Sequence, residues 1–240
     1  MRHWVGMVRG LFLLAMFAGA TTISAASLVY FDPQEVAPFV IERLGDVRFE
    51  QLWLWSLKVH VACALVAFPV CLLLTMRWLQ RRLVWHRWLG RVTGVLVLFG
   101  LVPSGMVLAF DATGGLGVSA GFWLSGAIVA AAMVYGVRAA RRRDLKSHSH
   151  AMRHVVAQLS VAVTSRAMLI GFDTLGVDPE LAYLVALWLP VLLSAGVAEA
   201  MSRRFSLKSS LLNSIRGSFD HSAESRAASI NPLPRSSHVP

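Results

Sequence analysis

Five histidines, His60, His86, His148, His150 and His154, are the residues of this chain best suited to chemistry. A neutral imidazole is a good metal ligand and carries a proton near neutral pH. His86 is followed by Gly90 and Gly94, which lie on one helical stripe with it. Such a small-xxx-small seam admits a second backbone or a flat ligand at close range. His150, His154 and Gln158 recur at i, i+4 spacing and share one stripe of another helix. Two imidazoles from facing helices are the usual axial pair of a membrane b-type haem. By helix geometry the pair is His86 with His154, and Arg87, Arg91 and Arg153 are placed to meet the propionates. A histidine at a membrane rim also serves as a solvated or headgroup-contacting side chain. Glu199 adds a polar group to the same side.

A second group lies toward the other side. Lys58 and His60 fall roughly 9 to 12 Å into an apolar helix, and Arg166 lies deep in another. Asp111 and Asp173 close two helices on that side and are candidate partners, as are backbone carbonyls or a ligand bearing an anionic or carbonyl group, such as a quinone head. Lys58 is long enough to snorkel outward. The alternative is a structural ion-pair cluster between helices.

The elements that must position these groups are membrane helices. The 240-residue chain is 56% hydrophobic and 15% charged, where a soluble domain carries about 25% charge. The apolar residues come in six blocks: about 10–31, 52–76, 92–110, 121–137, 155–172 and 181–198. Each is near the ~20 residues that a helix needs to cross a bilayer. Polar backbone groups in hydrocarbon need internal partners, so an all-α polytopic bundle of about six transmembrane helices is expected. The net charge is +10. Arg and Lys gather before the first block, between the second and third, between the fourth and fifth, and after the sixth. The positive-inside rule then places both termini in the cytoplasm. The same spread, with no nucleic-acid-binding motif, excludes nucleic acid as the partner and leaves the lipid bilayer.

The domain reading that follows is a first transmembrane helix or signal-anchor over 1–31, an external loop over 32–51, a five-helix membrane core over 52–201, and a disordered, basic, Ser-rich cytoplasmic tail over 202–240. The start also reads as a signal peptide, with small residues at Ser24, Ala25 and Ala26. The uncharged run continues through Phe31, which favours a retained helix. Within the loop, the mixed stretch VAPFVIERLGDVRFEQLW, Val36 to Trp53, is expected to form a short helix at the outer surface. Trp53, Trp55, Trp78, Trp85, Trp88, Trp123 and Trp188 fit interfacial belts. Cys63 and Cys71 have neither disulfide nor metal spacing. No Walker A loop, HExxH, nucleophile elbow or CxxC occurs. No metal is expected beyond a haem iron.

Between about Trp53 and Glu199 the chain resembles a bacterial family of membrane proteins grouped as domain of unknown function 2306. The resemblance is carried by HRWLGR at His86 to Arg91, by KVH ending at His60, and by HSHAM at His148 to Met152. Ala151 stands where the family usually has Trp, and His154 where it usually has Arg. Arg166 and Glu199 match a family arginine and a terminal glutamate. The resemblance implies a bacterial inner-membrane location and makes His148 the carried-over ligand candidate, beside the His154 that helix geometry favours. The family itself implies no activity, and whether the chain is an enzyme stays open. Its histidine layout is similar to that of bis-histidine membrane cytochromes b. The expectation is a b-type haem or quinone-linked redox protein with a quinone or a redox protein as partner. A small-solute transporter and a non-catalytic assembly protein are the alternatives.

Overall fold

The computed structural model describes residues 2–32, 37–201 and 203. These are helical, with no strand among them. The chain divides into two units, Met1–Ala198 and Glu199–Pro240. The tail expected to be disordered, 202–240, lies outside the described residues apart from Arg203.

We number the helices in chain order: α1 Arg2–Ser27, α2 Pro38–Arg43, α3 Glu50–Leu74, α4 Arg77–Arg81, α5 Leu83–Phe110, α6 Gly115–Arg141, α7 Leu145–Thr174 and α8 Pro179–Met201. Six helices are long and apolar enough to cross a membrane. They are α3, α5, α6, α7, α8 and an apolar stretch from Gly6 to Phe31 that includes most of α1. Each corresponds to one of the apolar blocks of the sequence. α2 and α4 are short. α2 begins with Pro38 at N1, where a missing N–H costs nothing.

The centre of Met1–Ala198 is built from α3, α5, α6 and α7. Ala67 and Cys71, Val97 and Leu101, Val129 and Met133, and Val155 form one buried cluster. Adjacent helices in the ring are α3–α5, α5–α6, α6–α7 and α7–α3, so α5 and α7 stand diagonally opposed. α1 lies in the groove between α3 and α7, where Met16 and Ala20 meet Phe68, Leu72 and Val163. The α8 residues Leu187 and Val191 pack on Val118 and Val161 of α6 and α7. α2 covers the start of α3, with Val40 against Trp53 and Leu57.

Lipid tails are as apolar as Leu, so close packing and internal hydrogen bonds have to hold such helices together. Glycines supply the close packing. A side chain at Gly100 would collide with Cys63, at Gly121 with Leu187, and at Gly136 with Met152. Gln158 supplies the hydrogen bonds. It is 3% exposed, and its Nε2 donates to Val191 O at 3.0 Å and lies 3.1 Å from Ser194 Oγ. Its Oε1 accepts from Ser125 Oγ at 2.9 Å. One side chain thereby joins α6, α7 and α8.

The turn from α6 to α7 is tight. Arg143 takes a left-handed φ of 61°, and Asp144 caps α7 by accepting from the Ser147 N–H at 3.0 Å.

Two outcomes test this packing. Gln158→Leu strips Ser125 and Ser194 of their shared partner. It should lower unfolding stability in detergent by about 1 kcal/mol, whereas Ser→Ala at the exposed Ser149 should leave it unchanged. At Asp144, hydrogen bonds from Ser147 hold the carboxyl below its ordinary value. A depressed native pKa gives stability that is complete above the unfolded value and lost as pH falls through the native one. Asp144→Ala should therefore lower Tm at pH 7, and its melting curve should converge on wild type once Asp144 is protonated in the native state.

Candidate functional site

Two polar sites lie at opposite ends of the ring. The first is at the end that carries the Arg and Lys clusters. His86 sits in the first turns of α5, and His148 in the first turn of α7. Their helices are diagonal neighbours, yet the two imidazoles lie within electrostatic reach of each other. His148 Nδ1 is 2.9 Å from Gly136 O. A carbonyl only accepts, so Nδ1 carries the proton and Nε2 keeps its lone pair. Metal-ligating histidines commonly hold their second nitrogen in this way. The contact exists because position 136 is glycine, which lets α7 close on α6. Ala151, 2% exposed, lies against the same glycine.

The α5 side of this site has unspent polarity. His86 Nδ1 and Thr93 Oγ1 are buried without a hydrogen-bond partner. They stand seven residues apart and so share a face. Gly90 lies between them on that face, and a side chain there would meet no atom within 4 Å. The stripe His86, Gly90, Thr93 thus borders open space with two orphaned polar atoms. A buried polar atom without a partner costs about 1–3 kcal/mol, so its persistence points to something that completes it. Donor set and space both fit a metal-bearing group held by imidazole. Arg87 and Arg91 are exposed beside this stripe. The rings of His150 and His154 are in tilted contact, with centroids 5.1 Å apart and planes inclined at 57°. Arg153 Nη2 is 3.4 Å from Ser149 Oγ. Glu199, in the second unit, accepts from Arg203 Nε at 2.7 Å.

The second site lies toward the other end, and a proline creates it. Pro103 has no N–H, and its ring clashes with the carbonyl four residues back. The six residues ahead of Val102, Leu96–Leu101, widen into a π-helical turn inside α5. The carbonyls of Gly100 and Leu101 take side-chain partners. Ser104 Oγ donates to Gly100 O at 2.6 Å, and His60 Nδ1 donates to Leu101 O at 3.1 Å. His60 is therefore the Nδ1–H tautomer. Gly105 makes room for it, since a Cβ there would lie 2.9 Å from His60 Cε1.

Arg166 lies within electrostatic reach of His60 and of Tyr183 on α8. It does not pair with the aspartates. Among the described residues no ion pair joins Lys58 or Arg166 to Asp111 or Asp173. Lys58 and Asp173 are exposed, and Asp111 is half-buried. The Asp111 carbonyl accepts from Arg43 Nη2 at the end of α2. That contact ties the segment carrying α2 to the C-terminal end of α5, where a cation is favoured. Ser104, Gly105, Tyr183 and Arg43 belong to this site without having stood out in the sequence. Pro103 was the available signal, because freed carbonyls inside a membrane must find donors.

Neither a curated protein nor a solved structure matches the chain. A family model does. It describes a predicted membrane protein, matches residues 57–201, and so covers more than half of the chain, including His60, the HRWLGR stretch and Arg166. The chain belongs to the membrane-protein family of domain of unknown function 2306.

Proposed function

We propose that this protein is a membrane redox carrier that holds a b-type haem at its basic end, with His86 and His148 as axial ligands, and exchanges electrons with a lipid-soluble quinone or a redox protein. The observation that carries this reading is the pair of imidazoles, one from each helix, within electrostatic reach of each other at the basic end. His86 offers a buried nitrogen with no partner, and His148 is locked by Gly136 with its Nε2 lone pair available. A bis-histidine haem would supply one-electron transfer without a change of ligand. The chain's own residues orient the imidazoles, leave the face at Gly90 clear, and place the Arg87 and Arg91 cations near enough to balance propionate charge. His154, the geometric choice from the sequence, has its ring in tilted contact with His150, and the reading takes His148, fixed by Gly136 O, as the second ligand. The proposal turns the basic end to the cytoplasm on the positive-inside rule and sets the protein in a bacterial inner membrane.

A small-solute transporter is the second reading. It is favoured by the π turn beside His60 and by Pro103 and Pro190 within two spans, since broken helices line transport sites.

The test is an absorption spectrum of detergent-purified protein expressed with a haem precursor, oxidised and dithionite-reduced. A Soret band with sharp reduced α and β bands should appear. Both His86→Ala and His148→Ala should abolish the sharp bands, and His150→Ala should keep them. A colourless, monodisperse protein sinks the haem assignment, and proteoliposome flux then tests transport.

A further inference from the structure

Arg166 is a charge inside a membrane-spanning helix with no ion-pair partner among the described residues. It lies eight residues before the Thr174 end of α7, about 12 Å along the helix axis from that end. An arginine at such depth usually bends its head toward the nearer membrane surface. Here the direction of the helix works against that. Side chains lean toward the helix N-terminus, which for α7 is the far, basic end. Arg166 Nη1 donates to Ala162 O at 3.0 Å, one turn back along the helix, so the head points further into the apolar span. A guanidinium has five N–H donors, and this contact uses one. No described carboxylate forms an ion pair with it. Ala162, Arg166 and Ile170 form an exposed stripe, so the remaining donors are reachable sideways from the bilayer.

We infer that Arg166, with His60 and Tyr183 beside it, is a docking site for the carbonyl headgroup of a lipid-soluble quinone. The chemistry selects this class. Spare N–H donors in hydrocarbon require an acceptor. A lipid phosphate stays at the interface, a helix-depth away. A dissolved anion would have to shed its hydration to arrive. A quinone is already dissolved in the apolar phase, is uncharged, and carries two carbonyl acceptors. Tyr183 adds a phenolic donor. His60, fixed as the Nδ1–H tautomer by Leu101 O, keeps an acceptor at Nε2 that suits the hydroxyl of the reduced form. The site thus offers partners to both quinone and quinol. The inference rests on the redox reading for what the ligand does, and on the unspent donors of Arg166 for where it binds.

The test is a titration of the full chain, in phosphatidylcholine nanodiscs, with decylubiquinone, read as saturable quenching of tryptophan fluorescence. Wild type should saturate, Arg166→Met should weaken binding at least tenfold, and Tyr183→Phe by a few-fold, with helical circular dichroism unchanged. Should Arg166→Met fail to fold, Tyr183→Phe still decides. Ser149→Ala, at an exposed residue of the opposite end, should bind quinone like wild type. A linear, partition-like response, or equal affinity in both variants, overturns the site. So does quinone affinity that collapses when phosphatidylglycerol is included, since a lipid phosphate would then hold Arg166. Arg166-dependent binding in a protein without haem bands overturns the redox reading alone. Haem bands without saturable binding overturn the site alone.

Discussion

A bilayer offers no water to a polar group, and each one must find a partner inside the protein. Much of this structure follows from where that demand is met and where it is not. Pro103 withdraws one backbone donor from α5, and the helix widens by a π turn. Two carbonyls then take partners from Ser104 and from His60 on the neighbouring helix. His60 is held in place by that demand, Gly105 is small because His60 is there, and the α3–α5 contact is fixed in register. Gln158 answers the same demand for α6, α7 and α8.

The exceptions are more informative than the rule. His86 Nδ1 and Thr93 Oγ1 at one end have no acceptor or donor, and Arg166 toward the other spends one donor on its own helix. Both places leave polarity that the described residues do not satisfy. The two places lie at opposite ends of one four-helix ring, with the Ala67, Val97, Met133 and Val155 core between them. An electron carrier that connects a lipid-soluble partner to a haem at the other end would need this layout.

Local identity of residues also sets which histidines can meet. His148, His150 and His154 all lie in the first ten residues of α7. His148 is directed by the bond to Gly136 O, and that bond needs a glycine on α6 and a small Ala151 beside it. His150 and His154 are one turn apart, with their rings in tilted contact.

By itself the sequence determined the six spans, the end at which the cations gather, and the list of polar residues within reach of the apolar core. The reason is local: hydropathy over about 20 residues and the cost of burying charge act on each helix separately. Helical periodicity also placed His86, Gly90 and Gly94 on one stripe. Only the tertiary structure decided that α5 and α7 are diagonal, that His86 comes within electrostatic reach of His148, that Arg166 comes within electrostatic reach of His60 and Tyr183 and pairs with neither Asp111 nor Asp173, and that Arg43 returns to the end of α5. Those pairings depend on the order of helices around the ring and on the rotation of each about its axis. Glycines and a proline on neighbouring helices set both, and no single helix encodes them.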